Sequence, residues 1–183
     1  PKSVGSGTLQ LTAGDIGTGA VALETRVDIL RVLSSGAVYV SEYNALQLGD
    51  AGMGITSTGG PIDIVAVGAV TQGITGITTN TGSIGIESTG SSLTVTSSIS
   101  TTGVGGGSIS LIAGTNIALS AAVGAANNSL ISLTATAGAI THSGAAYVGV
   151  AASTSILELS AGTFIGVDGG ADNVPDATWL LTD

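Results

Sequence analysis

Pairs of apolar residues, each pair separated by one residue, recur along this chain at nearly constant distances. The pairs are Leu9/Leu11, Ile62/Ile64, Ile84/Ile86, Ile109/Leu111, Ile131/Leu133 and Leu157/Leu159. Apolar residues at alternate positions are typical of β-strands with one buried face. From Ile62 onward the pairs recur with a period of roughly 22 to 26 residues, and a period of this length is typical of repeat architectures. We therefore predict a repeat built from short β-strands.

Each repeat contains further strand signals after its apolar pair. The clearest unit is Gly106–Ser120, where Ile109–Leu111 and Ile117–Leu119 flank a small corner, Ala113–Asn116. A third, weaker apolar segment follows, for example around Val123. One such coil cannot bury its apolar face alone, so coils stack with equivalent strands roughly 4.8 Å apart. The sequence predicts an all-β fold, a parallel β-solenoid of roughly seven coils of about 22–26 residues.

The repeat predicts a single solenoid domain over residues 1–183. Residues 1–50 are less regular, and within them Glu24–Leu33 also has helical spacing; we interpret this segment as strand. Residues 168–183 begin with a polar loop, Asp168–Asp176, and continue into Trp179-Leu180-Leu181. Because a solenoid needs cover for its open end, we interpret 168–183 as a cap or as a segment that docks on a neighbouring subunit.

The charge composition excludes several classes of partner. Lys2, Arg26 and Arg31 are the only cations, against twelve acidic residues, so no basic patch is available to neutralise phosphates. Nucleic-acid binding and attraction to an anionic membrane are therefore not expected. No apolar run is long enough for a transmembrane helix, and the absence of cysteine excludes disulfides. The 30 glycines are expected at corners, where they would supply positive φ.

Several phrases of the sequence resemble a known family. Gly82–Gly90 (GSIGIESTG), Gly106–Ile117 (GGSISLIAGTNI) and Gly138–Gly144 (GAITHSG) are similar to the degenerate repeats of filamentous-haemagglutinin-like proteins, the giant repeat exoproteins of bacteria. Gly68–Gly73 is a second copy of the last phrase. The resemblance implies a right-handed β-helix exported to the cell surface, with a role in adhesion, biofilm matrix or fibre formation. A secretion domain is not recognisable, so the export route stays open.

The titratable residues do not form a recognisable catalytic or metal site. His142 is the only histidine, and without cysteine it cannot build a usual zinc site; we predict an outward or corner position for it. Asp63 and Glu87 are expected to align roughly on adjacent coils, with Glu158 at the same repeat position further along. Paired carboxylates serve glycosidases and lyases, but no cation lies nearby in the sequence, so a solvated acidic stripe is the favoured interpretation. No catalytic, cofactor or metal residue is predicted.

Other motifs have structural explanations. Asp168–Asp172 resembles a calcium-binding glycine-aspartate repeat but occurs once, which leaves Ca²⁺ as a minor alternative. Gly103–Gly107 lacks the spacing of a phosphate loop, and Asn127–Ser129 is a glycosylation sequon. Threonines that could suggest ice binding, explained more simply by β-propensity, are Thr78, Thr79, Thr94 and Thr96.

The sequence thus predicts a non-enzymatic, structural or adhesive extracellular protein of the bacterial cell surface. Its expected partner is itself, end to end through the terminal coils, and host or cell-surface glycans or proteins are further candidates. The alternative is a carbohydrate-active β-helix, either a polysaccharide lyase or a glycan-binding module.

Overall fold

A computed structural model describes residues 7–103, 107–126, 129–143, 148–150 and 156–167. Every regular element in these ranges is a β-strand, and all strand pairs are parallel. The predicted parallel β-solenoid is therefore confirmed. None of the described segments forms a helix that could cross a membrane.

The strands stack into three faces. Face 1 consists of β2 (Leu23–Thr25), β4 (Val38–Glu42), β7 (Ile62–Ala66), β10 (Ile84–Ser88), β13 (Ile109–Ala113), β16 (Leu130–Ala135) and β19 (Ile156–Ala161). Face 2 consists of β5 (Leu46–Leu48), β8 (Val70–Gln72), β11 (Leu93–Val95), β14 (Ile117–Leu119), β17 (Ala139–His142) and β20 (Phe164–Val167). Face 3 consists of β6 (Ile55–Ser57), β9 (Ile77–Thr79), β12 (Ile99–Thr101), β15 (Val123–Ala125) and β18 (Val148–Val150). Two longer strands, β1 (Thr8–Ala13) and β3 (Ile29–Ser34), complete the set. The seven strands of face 1 delimit about six turns, close to the predicted seven.

The register along face 1 follows the sequence repeat. Ile62 pairs with Ile84, Ile84 with Ile109, and Ile131 with Leu157, which are the predicted offsets. The assignment of Leu9/Leu11 to this series is wrong, because β1 pairs with β3 and lies on faces 2 and 3. Its alternation is that of any half-buried strand, so the pattern alone could not identify the face.

The core is a set of columns of branched aliphatic side chains that point inward. On face 1 one column contains Ile62, Ile84, Ile109 and Ile131, each 0% exposed. The residues that alternate with the inward ones along each strand, such as Asp63 and Ser110, are more exposed, which gives the alternating burial of β7 and β13. The buried hydrophobic residues in the described ranges include no aromatic side chain. Aliphatic side chains therefore make up the apolar core of these ranges.

The less regular start of the chain is explained by β3. Its first half, Ile29 and Leu30, pairs with β5 on face 2, and its second half pairs with β6 on face 3. The following coil therefore inserts a loop, residues 49–54, where β3 runs straight. Arg31 lies between the two halves and forms a salt bridge with Asp50 in that loop. The hydrogen bond from Arg31, aided by the Gly52 N–H, lowers the pKa of Asp50 below its ordinary value. The segment that also had helical spacing contributes to β2 and β3 and contains no helix.

Corner glycines are required by the close approach of coils more than by φ. In the described residues positive φ occurs at Gly17 and Gly49. At the corner between faces 3 and 1, Gly60, Gly82 and Gly107 follow one another in successive coils. A Cβ at these positions would lie 2.6, 2.3 and 2.2 Å from a backbone nitrogen of the previous coil. Only a residue without a side chain allows adjacent coils to approach this closely.

The same corner contains a column of buried hydroxyl groups, which we call the hydroxyl ladder. Its members are Ser34, Ser57, Thr79 and Thr101, exposed by 4% or less. The Ser57 Oγ lies 2.6 Å from the carbonyl oxygen of Gly36 in the previous coil and 2.8 Å from that of Gly60. It also accepts a hydrogen bond from the Gly60 N–H at 3.1 Å. The ladder thus satisfies corner backbone groups that have turned away from the sheets.

We expect Ser57→Ala to lower the free energy of unfolding by about 1–3 kcal/mol, because it leaves buried corner groups without a partner. Ser57→Thr is the matched control and should be nearly neutral, since Thr79 occupies the next position of the same ladder. Urea unfolding of the three proteins measures the difference. Equal stability of Ser57→Ala and the parent would contradict a structural role for the ladder.

Candidate functional site: outer faces and open ends

Asp63 and Glu87 point outward from face 1 but do not form a pair. Asp63 pairs with Gly85 on the next strand, whereas Glu87 pairs with Val65 and Ile112. The expected alignment of Asp63 with Glu87 is therefore wrong, because Glu87 lies two residues beyond the partner of Asp63 along β10. Glu158 does occupy the Asp63 column, with Ser110 and Ser132 between them, as expected. The described residues contain no cluster of His, Asp or Glu that could hold a metal ion.

His142 ends β17 next to a corner, which is one of its two predicted positions, and its side chain points inward. It pairs with Leu119, which is 3% exposed, and so belongs to an inward column. Both ring nitrogens are inaccessible to solvent, and the ring lines a cavity. The parity of the strand explains this, because Ile140 points inward and His142 lies two residues further on. The alternation along β17 gives His142 the same inward orientation as Ile140, although histidine is a polar residue.

The threonines do not form a regular outer array. Thr78 points outward on face 3, where its hydroxyl lies 3.4 Å from that of Thr56. Thr79 points inward as part of the hydroxyl ladder. Thr94 points outward on face 2, and the Thr96 hydroxyl binds the carbonyl oxygen of Gln72 at a corner. Thr78, Thr79 and Thr94 are therefore ordinary strand residues, in line with the β-propensity of threonine, and Thr96 is a corner residue.

Several predicted features lie outside the described residues. They are the calcium-like motif Asp168–Asp172, the C-terminal segment 168–183 with Trp179, Asn127 and Asn128 of the sequon, and residues 104–106 of the glycine cluster.

The N-terminal end of the described solenoid presents strand edges and apolar side chains. Within the described ranges β1 pairs only with β3, and β2 only with β4. Leu9 and Leu11 point into the column ends but are only partly buried, whereas their partners Leu30 and Val32 are 0% exposed. No described strand pairs with the other edge of β1.

The C-terminal end is open in the same way. In the described part of the chain β18, β19 and β20 each pair with one strand only. Leu157 and Leu159 continue columns whose inner members are buried, yet they are only partly buried themselves. A partly open apolar cavity at this end is lined by Leu119, Leu133, Ile140, Leu157, Leu159 and Ile165, among others. The volume of this cavity is about 20 Å³, which is enough for about one water molecule. The cavity is therefore too small for a small-molecule ligand.

The two ends differ in completeness. At the C-terminal end β19 covers β16 on face 1 and β20 covers β17 on face 2, while no described strand covers β18 on face 3. The last described turn thus has strands on two of the three faces. The terminal strands each have one partner among the described residues. The two ends of the described solenoid are therefore the surfaces best suited to contact another chain segment. Comparison with known proteins gives no further guidance: no protein-family model, curated protein or solved structure matches this chain.

We expect Asp63→Asn to stabilise the protein slightly at pH 7. Partial burial on face 1 raises the pKa of Asp63 above its ordinary value of 3.8, so the folded state binds this proton more tightly than the unfolded state. The stability that comes from tighter proton binding by Asp63 in the folded state is fully present below pH 3.8. It is lost as the pH rises through the raised pKa of Asp63.

The gain from Asp63→Asn should therefore vanish at pH 3, where the carboxyl group is neutral in both states. Urea unfolding at the two pH values measures it, and Ser110→Asn in the same column controls for the added amide. A variant less stable than the parent at pH 7 would show that the charged Asp63 is stabilising.

Proposed function

We propose that this protein is a structural or adhesive β-solenoid whose copies stack end to end into a fibre. The observation that carries the proposal is the two ends of the described solenoid, where each terminal strand has one described partner and the core columns end in partly buried side chains. Strand addition across such edges would supply both backbone hydrogen bonds and burial of leucine side chains. The contact would be head to tail, so that each added copy presents the same open end again.

The charge distribution is consistent with separate fibres. Twelve acidic and three basic residues give a net charge of −9. In the described ranges both arginines are already engaged, Arg26 over the ring of Tyr43 at 5.0 Å and Arg31 with Asp50. Asp63, Glu87 and Glu158 point outward, so the sides of neighbouring rods would repel one another. Association through the ends is then favoured over association through the sides.

We further propose an extracellular location on a bacterial surface, on the basis of the repeat phrases. The phrases at Gly82–Gly90 and Gly106–Ile117 coincide with β10 and with β13–β14, which are regular coils of the solenoid. The resemblance to filamentous-haemagglutinin-like exoproteins therefore rests on residues that build the coil. An adhesive role, with surface glycans or proteins as targets, follows from that resemblance.

Leu9→Lys should abolish fibre formation, because it places a charge at the end of an inward column on the N-terminal edge strand. Gln10→Lys adds the same charge to the same strand at an outward position and should leave fibres intact. Electron microscopy and sedimentation at neutral pH over a range of concentrations compare the variants, with circular dichroism as the check on folding. Monomers at all concentrations of the parent protein would overturn the proposal.

A further inference from the structure

We propose that the segment containing Trp179-Leu180-Leu181 docks on the free edge of β19 and continues face 1 of its own solenoid. The acceptor surface is described by the structure: the edge of β19 has no strand beside it in the described ranges, and Leu157 and Leu159 are partly exposed at its column ends. This surface lies beside the apolar cavity. The segment itself belongs to residues 168–183, which lie outside the described part of the chain.

The spacing along face 1 supports this docking. The steps from Ile62 to Ile84 and from Ile109 to Ile131 cover the same number of residues. They alternate with longer steps, and the step that ends at Leu157 is a longer one, so a shorter step comes next. The shorter step also separates Trp179 from Leu157 and Leu181 from Leu159. Trp179 and Leu181 therefore have the spacing of the next apolar pair in the series. Leu180 would take the outward position beside Glu158.

The length of chain that follows face 2 indicates the same register. The last residues of β8 and β14 are Gln72 and Leu119, and the next inward residues of face 1 are Ile84 and Ile131. These two connections are equal in length and alternate with the longer ones that follow β5, β11 and β17. Val167 ends β20 on the same face, and a connection of the shorter length from Val167 ends at Trp179. A chain that leaves β20 as the chain leaves β8 and β14 therefore reaches face 1 at Trp179.

The chemistry of the surface favours the same occupant. The two column ends and the cavity are lined mainly by Leu and Ile side chains, which favour an apolar occupant over a polar one. A tryptophan ring at the Leu157 column would cover more of this surface than any other residue type in the chain. A strand on β19 would also satisfy the free backbone groups of that edge. The occupant inferred is thus a segment of the same chain.

Trp179 is the only tryptophan, so its fluorescence reports on the docking directly. In monomeric native protein we expect blue-shifted emission and weak quenching by acrylamide. Leu181→Asn should shift the emission towards that of the unfolded chain, because it removes an inward contact. Leu180→Asn is the matched control at an outward position and should leave the emission unchanged. Equal effects of the two substitutions would overturn the register.

A disulfide tests the same register independently, because the chain contains no cysteine. Neighbouring parallel strands bring paired Cα atoms to roughly 4.8 Å, within the range of a disulfide. Glu158→Cys combined with Leu180→Cys should form an intramolecular disulfide on mild oxidation, and Ser110→Cys combined with Leu180→Cys should not. A disulfide between two chains would show that a second copy is the occupant, and no disulfide with a solvent-exposed Trp179 would show that the surface is free; both outcomes overturn the proposal.

If the segment docks, its own outer edge rather than that of β19 becomes the face 1 edge available for the fibre contact. The docking experiments use monomers, so their outcome is separate from that of the fibre test. Docking with no fibres would overturn only the proposed function. Fibres with an exposed Trp179 would overturn only the docking.

Discussion

The structure depends on backbone hydrogen bonds that no coil can make alone. The N–H of Ile84 donates to the carbonyl of Ser108 in the following coil at 2.9 Å, and the N–H of Gly114 donates to Ser88 in the preceding coil at 2.8 Å. Each turn therefore uses both neighbours to satisfy its polar backbone. Each added coil therefore stabilises its neighbours, and the backbone groups that stacking does not pair lie at the two ends.

The same constraint explains which residues occupy the interior and the corners. Equivalent residues of neighbouring coils lie side by side, so an inward position must accept a column of similar side chains. Isoleucine, valine and leucine meet this requirement on the three faces, and Gly60 and Gly82 meet it at a corner without room for Cβ. Polar groups enter the interior where they serve the backbone. The hydroxyl ladder does so through Ser57, and the buried Glu42 does so by accepting hydrogen bonds from the Thr25 hydroxyl and the Val27 N–H.

Much of this fold could be predicted, because the sequence distance between successive apolar pairs is also the distance between residues that pair on neighbouring strands. The face of β1 could not be predicted, because one half-buried strand alternates like another. The corner position of His142 could be predicted, whereas its inward orientation depends on its parity with Ile140 within β17. Asp63 and Glu87 do not meet, because Glu87 lies two residues beyond Gly85, which is the residue of β10 that pairs with Asp63. A prediction of the exact register would have been needed to separate them. The hydroxyl ladder and the incomplete last turn depend on three-dimensional pairing, for which the sequence has no local pattern.

Native-state hydrogen exchange tests most directly whether each coil is stabilised by the coils on either side. The account predicts the slowest amide exchange in β10 and β13, which have a neighbour on both edges, and progressively faster exchange towards β1 and β2 at the N-terminal end. Protection that is uniform along the solenoid, or greater in β1 than in β10, would show that single coils hold their own hydrogen bonds and would contradict the account.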